Sequence, residues 1–122
     1  MARLPAPDEL RALARLDAER VLVVDQLTVL RRGLQETLDA SADSNADDEH
    51  DPEGATIAFE RSQLETLIRL ADRHLADIEK ARARVTGGRY GACQTCGQPI
   101  SAARLEARPT AATCVACAPL TK

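Results

Sequence analysis

Four cysteines sit near the end of this chain in two CxxC pairs, Cys93 with Cys96 and Cys114 with Cys117, and 17 residues separate the pairs. A CxxC turn aims two thiolates at one ion, and two such turns complete a tetrahedron at a spacing typical of four-cysteine zinc sites. Both histidines, His50 and His74, lie well upstream and offer no further ligand. Four protein ligands fill the coordination shell, so the expected ion is one structural Zn²⁺ without a bound water for catalysis. Two disulfides in a secreted chain are the alternative. Met1 to Leu16 argues against it, because Arg3, Arg11 and Arg15 interrupt any apolar core that a signal peptide needs. A thioredoxin-like redox pair fails too, since no βαβ pattern surrounds either CxxC. The apolar residues available around the thiols are Tyr90, Ile100, Leu105, Val115 and Leu120. That is little area for a core, so the ion is expected to supply most of the folding free energy here, on the order of 10 kcal/mol. Arg89, Arg104 and Arg108 are placed to offset the net negative charge of a zinc tetrathiolate.

The rest of the chain must position this cluster. One Phe, one Tyr and no Trp among 122 residues leave Ala, Leu and Val to build any core, which suits long helices. Pro5, Pro7 and Asp8, the last as N-cap, announce the first helix. Leu13, Leu16, Val23, Leu27, Leu30 and Leu34 then recur at three- and four-residue steps, with Arg20 and Thr37 as polar breaks. A second stripe runs through Ile57, Leu64, Ala71, Ile78 and Val85 at heptad spacing, with Leu67 and Ala81 between and Glu60 and His74 as interruptions. Gly87 and Gly88 end it. Two helices of about 30 residues, each roughly 45 Å long, are expected. An antiparallel hairpin buries both stripes locally, and an intermolecular bundle is the competing arrangement. The predicted fold class is mainly α: a long antiparallel coiled-coil hairpin over residues 1–86 and a small C-terminal four-cysteine zinc-finger module over 87–122.

The bend between the stripes, at 41–55, is acidic. Ser41 to Gly54 holds Asp43, Asp47, Asp48, Glu49, Asp51 and Glu53. A calcium loop does not fit, because the sixth EF-hand position is Asp48 and the twelfth is Gly54. Charge is divided along the chain: residues 1–79 carry 9 basic and 18 acidic side chains, and residues 80–122 carry 7 and 1. This describes a negative tip presented by a positive, metal-stapled base, a shape suited to a narrow channel lined with positive charge or metal. The longest aliphatic run, Val21 to Val24, is too short to cross a bilayer, and a reducing, cytoplasmic compartment with no membrane partner is expected.

The run RYGACQTCGQPISAARLEARPTAATCVAC, from Arg89 to Cys117, resembles the zinc-finger signature of the DksA/TraR family. The shared features are both CxxC pairs, Gly97, Ile100 and RLEARPTA from Arg104 to Ala111. The resemblance implies a transcription regulator without catalysis of its own. Such proteins bind RNA polymerase, insert the hairpin tip into its secondary channel and change transcription initiation, many of them with the alarmone ppGpp. The family's tip pattern, Asp-Pro-x-Asp-x-Ala, maps with one residue deleted onto Asp51-Pro52-Glu53-Gly54-Ala55. Asp51, Glu53 and Ala55 are therefore the tip residues that the resemblance implies. Where relatives carry a basic residue linked to ppGpp, this chain has Asp77. Arg104 and Arg108 match family arginines and stand as polymerase or nucleotide contacts, with packing against the zinc knuckles as the alternative. Sequence-specific DNA binding is not implied. Two other functional classes are a zinc-finger nucleic-acid binder dimerising through its helices and a thiol–zinc redox sensor. The basic residues lack the aromatic neighbours that base stacking needs. An enzyme is disfavoured, because no nucleophile–base pair and no phosphate-cradling glycine loop appears.

Overall fold

The computed structural model describes residues 7–43 and 52–118. Helix α1 spans Pro7–Asp43, α2 spans Pro52–Thr86, and a short α3 spans Ala102–Ala107. Asp8 is not a cap: α1 begins one residue earlier, on Pro7, which has no N–H to leave unpaired and a φ already set for a helix. Asp8 and Glu9 then occupy the first turn, where the helix dipole favours carboxylates. Both long helices outrun their predicted lengths, at 37 and 35 residues. Ser41 to Asp43 belong to α1, and Pro52 opens α2 in the same way that Pro7 opens α1.

The chain forms two compact units, Met1–Val21 with Leu75–Lys122, and Leu22–His74. In the first, α1 and α2 pack antiparallel over Ala12, Leu16, Ile78, Ala81 and Val85, all buried. Asp17 pairs with Arg82 at 3.0 Å and Arg20 with Glu79 at 2.8 Å, so position falls along α2 as it rises along α1. In the second unit Val23, Leu27 and Ala71 are buried, with Thr37 beside them. Arg31 pairs with Asp72 at 3.0 Å, and Gly33 backs onto Leu64. These pairs are half exposed and worth little individually, so their main effect is on register. The predicted stripes supply this core with one shift. Ala12 is buried while Leu13 is only half buried, and Leu67 is 44% exposed. Thr37 enters the core because its hydroxyl donates to the Gly33 carbonyl of its own helix at 2.9 Å.

Helix α2 ends in a Schellman turn. Arg89 N–H donates to the Arg84 carbonyl at 2.8 Å and Gly88 N–H to Val85 at 3.1 Å. Gly88 has φ 72°, the left-handed conformation that this turn requires. The turn directs the chain into the cysteine module. Among the described residues no helix is long and apolar enough to cross a membrane.

Candidate metal centre

The first CxxC pair sits on a knuckle closed by backbone hydrogen bonds. Gly97 N–H donates to the Cys93 carbonyl and Cys93 N–H to Gln98, both at 2.8 Å. Gly97 has φ 77°, which explains a glycine directly after the second cysteine. At the other pair, Cys117 and Ala118 N–H both donate to the Cys114 carbonyl, at 3.1 and 2.9 Å. Gln94 N–H reaches the Ala112 carbonyl at 2.9 Å and ties the two knuckles together. Between them runs α3, capped by the Ser101 hydroxyl, which accepts from Arg104 N–H at 3.2 Å. Its Leu105 packs against a small core of Cys93, Ile100 and Cys117.

This framework brings the four sulfurs within 4.8 Å of one another. Cys96 Sγ and Cys114 Sγ are 3.7 Å apart. A zinc ion with bonds of about 2.3 Å to four thiolates needs sulfur–sulfur edges of about 3.8 Å, so the donor set fits that ion in number, softness and spacing. The protein's own hydrogen bonds split the thiols. Backbone hydrogen bonds from Cys114 and Cys96 pull Cys93 down to about 6. Hydrogen bonding to the Cys114 side chain, with burial and the other two sulfurs, pushes Cys117 up to about 12. At Cys96 the Gln98 backbone favours the thiolate, but the Cys93 side chain, burial and Cys114 outweigh it and the thiol lies above its usual range. A divalent ion held by Cys93, Cys96, Cys114 and Cys117 would override these differences and keep all four as thiolates.

The other predicted residues are placed unequally. Arg104 is half buried, and its Nε–H donates to the Thr113 carbonyl at 2.8 Å, locking α3 to the second knuckle. Arg108 caps α3 through its backbone, and its side chain is exposed. Asp51 lies outside the described residues. Glu53 falls in the first turn of α2, and Ala55 is exposed on the same helix. Asp77 is exposed on α2. Arg84, which the sequence did not single out, joins the module to the end of α2, and Tyr90, expected in the module's core, ties the module to itself. Tyr90 Oη donates to the Pro109 carbonyl at 2.7 Å, and buried Arg84 donates through Nη2 to the Thr110 carbonyl at 3.3 Å.

An antiparallel two-helix hairpin carrying a C-terminal four-cysteine knuckle defines a class of small hairpin zinc-finger proteins. Residues 88–119 match the model of the prokaryotic dksA/traR C4-type zinc finger. Residues 88–119 are thus a four-cysteine zinc finger of the DksA/TraR type, and the chain as a whole resembles proteins of that family. It is 49% identical over 47 residues to the RNA polymerase-binding transcription factor DksA of Caulobacter vibrioides, covering 36% of this chain and 33% of that one. It is 40% identical over 68 residues to DksA of Escherichia coli K12, covering 55% and 45%. With YteA of Bacillus subtilis it shares 37% over 75 residues, covering 62% and 31%. The chain thus spans between about a third and a half of the curated relatives that it matches. Among solved structures, transcription factor DksA2 of Pseudomonas aeruginosa superposes with a TM-score of 0.52 at 27% identity, covering 88% of this chain and 82% of that one.

Proposed function

We propose that this protein is a transcription regulator that binds RNA polymerase directly and places the bend of its hairpin in the secondary channel to modulate initiation. One observation carries the reading: the four-sulfur cluster closes the base of an antiparallel hairpin that follows a transcription factor of the DksA type over most of its length. The relatives named as RNA polymerase-binding factors support the partner. Cys93, Cys96, Cys114 and Cys117 hold one structural zinc, which supplies no bond-making chemistry and fixes the base from which the helices extend. Asp51 and Glu53, with Ala55 beside them, act at the tip as carboxylates directed toward the polymerase active centre. Arg108, exposed, is the better placed of the two arginines for a polymerase or nucleotide contact, because Arg104 is occupied with Thr113. Asp77 stands where relatives carry a cation, so the chain acts with a weakened ppGpp response or none.

The test is capture of the zinc-loaded chain by core RNA polymerase in competition with another secondary-channel protein, followed by in vitro transcription. Competitive binding is expected, together with an altered yield from open complexes that an Asp51→Ala, Glu53→Ala double variant loses while still binding. Failure to bind overturns the reading. Equal effects of the two proteins on transcription clear the tip of its role.

A further inference from the structure

Arg108 opens a β-turn, Arg108 to Ala111, that is pinned through its backbone. Ala111 N–H donates to the Arg108 carbonyl at 2.9 Å, and Arg108 N–H donates to the Arg104 carbonyl at 2.7 Å. Pro109 at the second position presets φ, and no described residue other than glycine has positive φ, so the turn is type I and not type II. The two middle carbonyls are taken by side chains. Tyr90 Oη donates to Pro109 at 2.7 Å, and buried Arg84 donates from α2 to Thr110 at 3.3 Å. Arg104 Nε–H adds a tie just beyond the turn, to the Thr113 carbonyl at 2.8 Å. Ala111 is buried beneath it. The Arg108 side chain takes no part in this network. It is exposed, with no hydrogen-bond or ion-pair partner among the described residues.

We propose that Arg84 is a positioning residue: with Tyr90 it fixes the Arg108–Ala111 turn so that the Arg108 guanidinium meets a single carboxylate of RNA polymerase. This rests on the polymerase reading above, and it adds the residue that sets the contact and the chemistry of its partner. An arginine on a free loop loses backbone and side-chain freedom when it is bound. On this turn the backbone is ordered by folding, so more of the interaction is realised as affinity. A polyphosphate is the poorer occupant, because it calls for several cations gathered at one place. Arg84 and Arg104 are turned onto carbonyls instead, and Asp77 lies close enough to Arg84 to favour its charged form. One planar guanidinium against one carboxylate needs no second cation.

A double-mutant cycle on capture by core RNA polymerase tests this, with every variant zinc-loaded and its fold checked by circular dichroism. Arg108→Ala is expected to weaken capture by about tenfold. Arg84→Met and Tyr90→Phe each remove one tie to the turn. Each is expected to weaken capture by about threefold or more alone, and no further once Arg108→Ala is present. Arg84→Lys keeps the charge and a donor and regains part of the loss. A merely structural Arg84 lowers unfolding stability and weakens capture equally with or without Arg108→Ala, and such additivity overturns the proposal. Capture of the Arg108→Ala variant as tight as that of the unaltered chain also overturns it. Losses confined to assays with added ppGpp make phosphate the anion and overturn the carboxylate assignment. Failure of the unaltered chain to bind overturns the polymerase reading and this proposal with it, whereas additivity with binding intact overturns this proposal alone.

Discussion

In the folded finger backbone hydrogen bonds lower the Cys93 thiol to about 6, while Cys96 is raised and Cys117 is pushed up to about 12. The sign for metal binding follows. A thiol that is still protonated must release its proton when zinc binds, and because the finger unfolds without the ion the starting thiols are those of a free chain, so at least two protons are released near pH 7. Apparent zinc affinity should therefore rise by at least about two decades per pH unit between pH 7 and 8, and fall as acid returns those protons. Calorimetry in buffers of different ionisation enthalpy counts the protons; fewer than two released would contradict the assignment. Arg84 makes a second argument at this scale. Burial lowers its pKa, with Tyr90 and Asp77 acting in the opposite sense, yet its guanidinium still donates to Thr110. Arg84→Met keeps the length of the side chain and removes the donor, so a loss of about 1–2 kcal/mol is expected in denaturant unfolding of the zinc-loaded protein. The sequence does not disclose this role. A basic residue flanking a heptad stripe reads as solvated, and its burial depends on the Pro109–Thr110 loop folding back, which no local spacing encodes.

Heptads made the helical elements legible where the apolar residues are large and their partner stripe is equally regular, as at Leu16, Ile78 and Val85. They were less informative where small residues pack closely, so Ala12 displaced Leu13. The helix ends were obscured for a different reason: a run of carboxylates reads as a loop, although Pro52 and an acidic first turn are also a good helix start. Gly33 is a case in which the element tolerates what its sequence does not optimise. It lies within α1, its φ is not in the left-handed region, and an added Cβ would meet Leu64 methyls at 3.7 and 3.8 Å, an ordinary contact. Gly33→Ala should therefore stabilise the unit Leu22–His74 by about 0.5–1 kcal/mol through reduced freedom of the unfolded chain. Thermal unfolding followed at 222 nm reads this directly, and a destabilised variant would mean that α1 and α2 approach more tightly there than described.

For the molecule as a whole, the question is how far the ion's influence extends. The long helices bury Leu16, Ile78, Ala81 and Val85 without using any cysteine, whereas the knuckle core is only Cys93, Ile100 and Cys117 with Leu105 and Cys114 against it. Three of those five residues are thiols, so removing the ion sets unpaired thiolates or thiols in place of a staple. The finger should unfold on chelation while most of α1 and α2 persists. Tyr90 reports the difference, because the chain has one tyrosine and no tryptophan, and that tyrosine is half buried with its hydroxyl on Pro109. Loss of the finger frees the hydroxyl and exposes the ring. Titration with a zinc chelator at neutral pH should then bring Tyr90 fluorescence and near-ultraviolet dichroism to those of a free tyrosine, with far-ultraviolet helicity falling only modestly. A Tyr90 signal unmoved by complete zinc removal would show that the Arg84–Thr110 and Tyr90–Pro109 contacts hold the module without the ion. A collapse of the helical signal in step with Tyr90 would show that the hairpin, too, is folded by the metal.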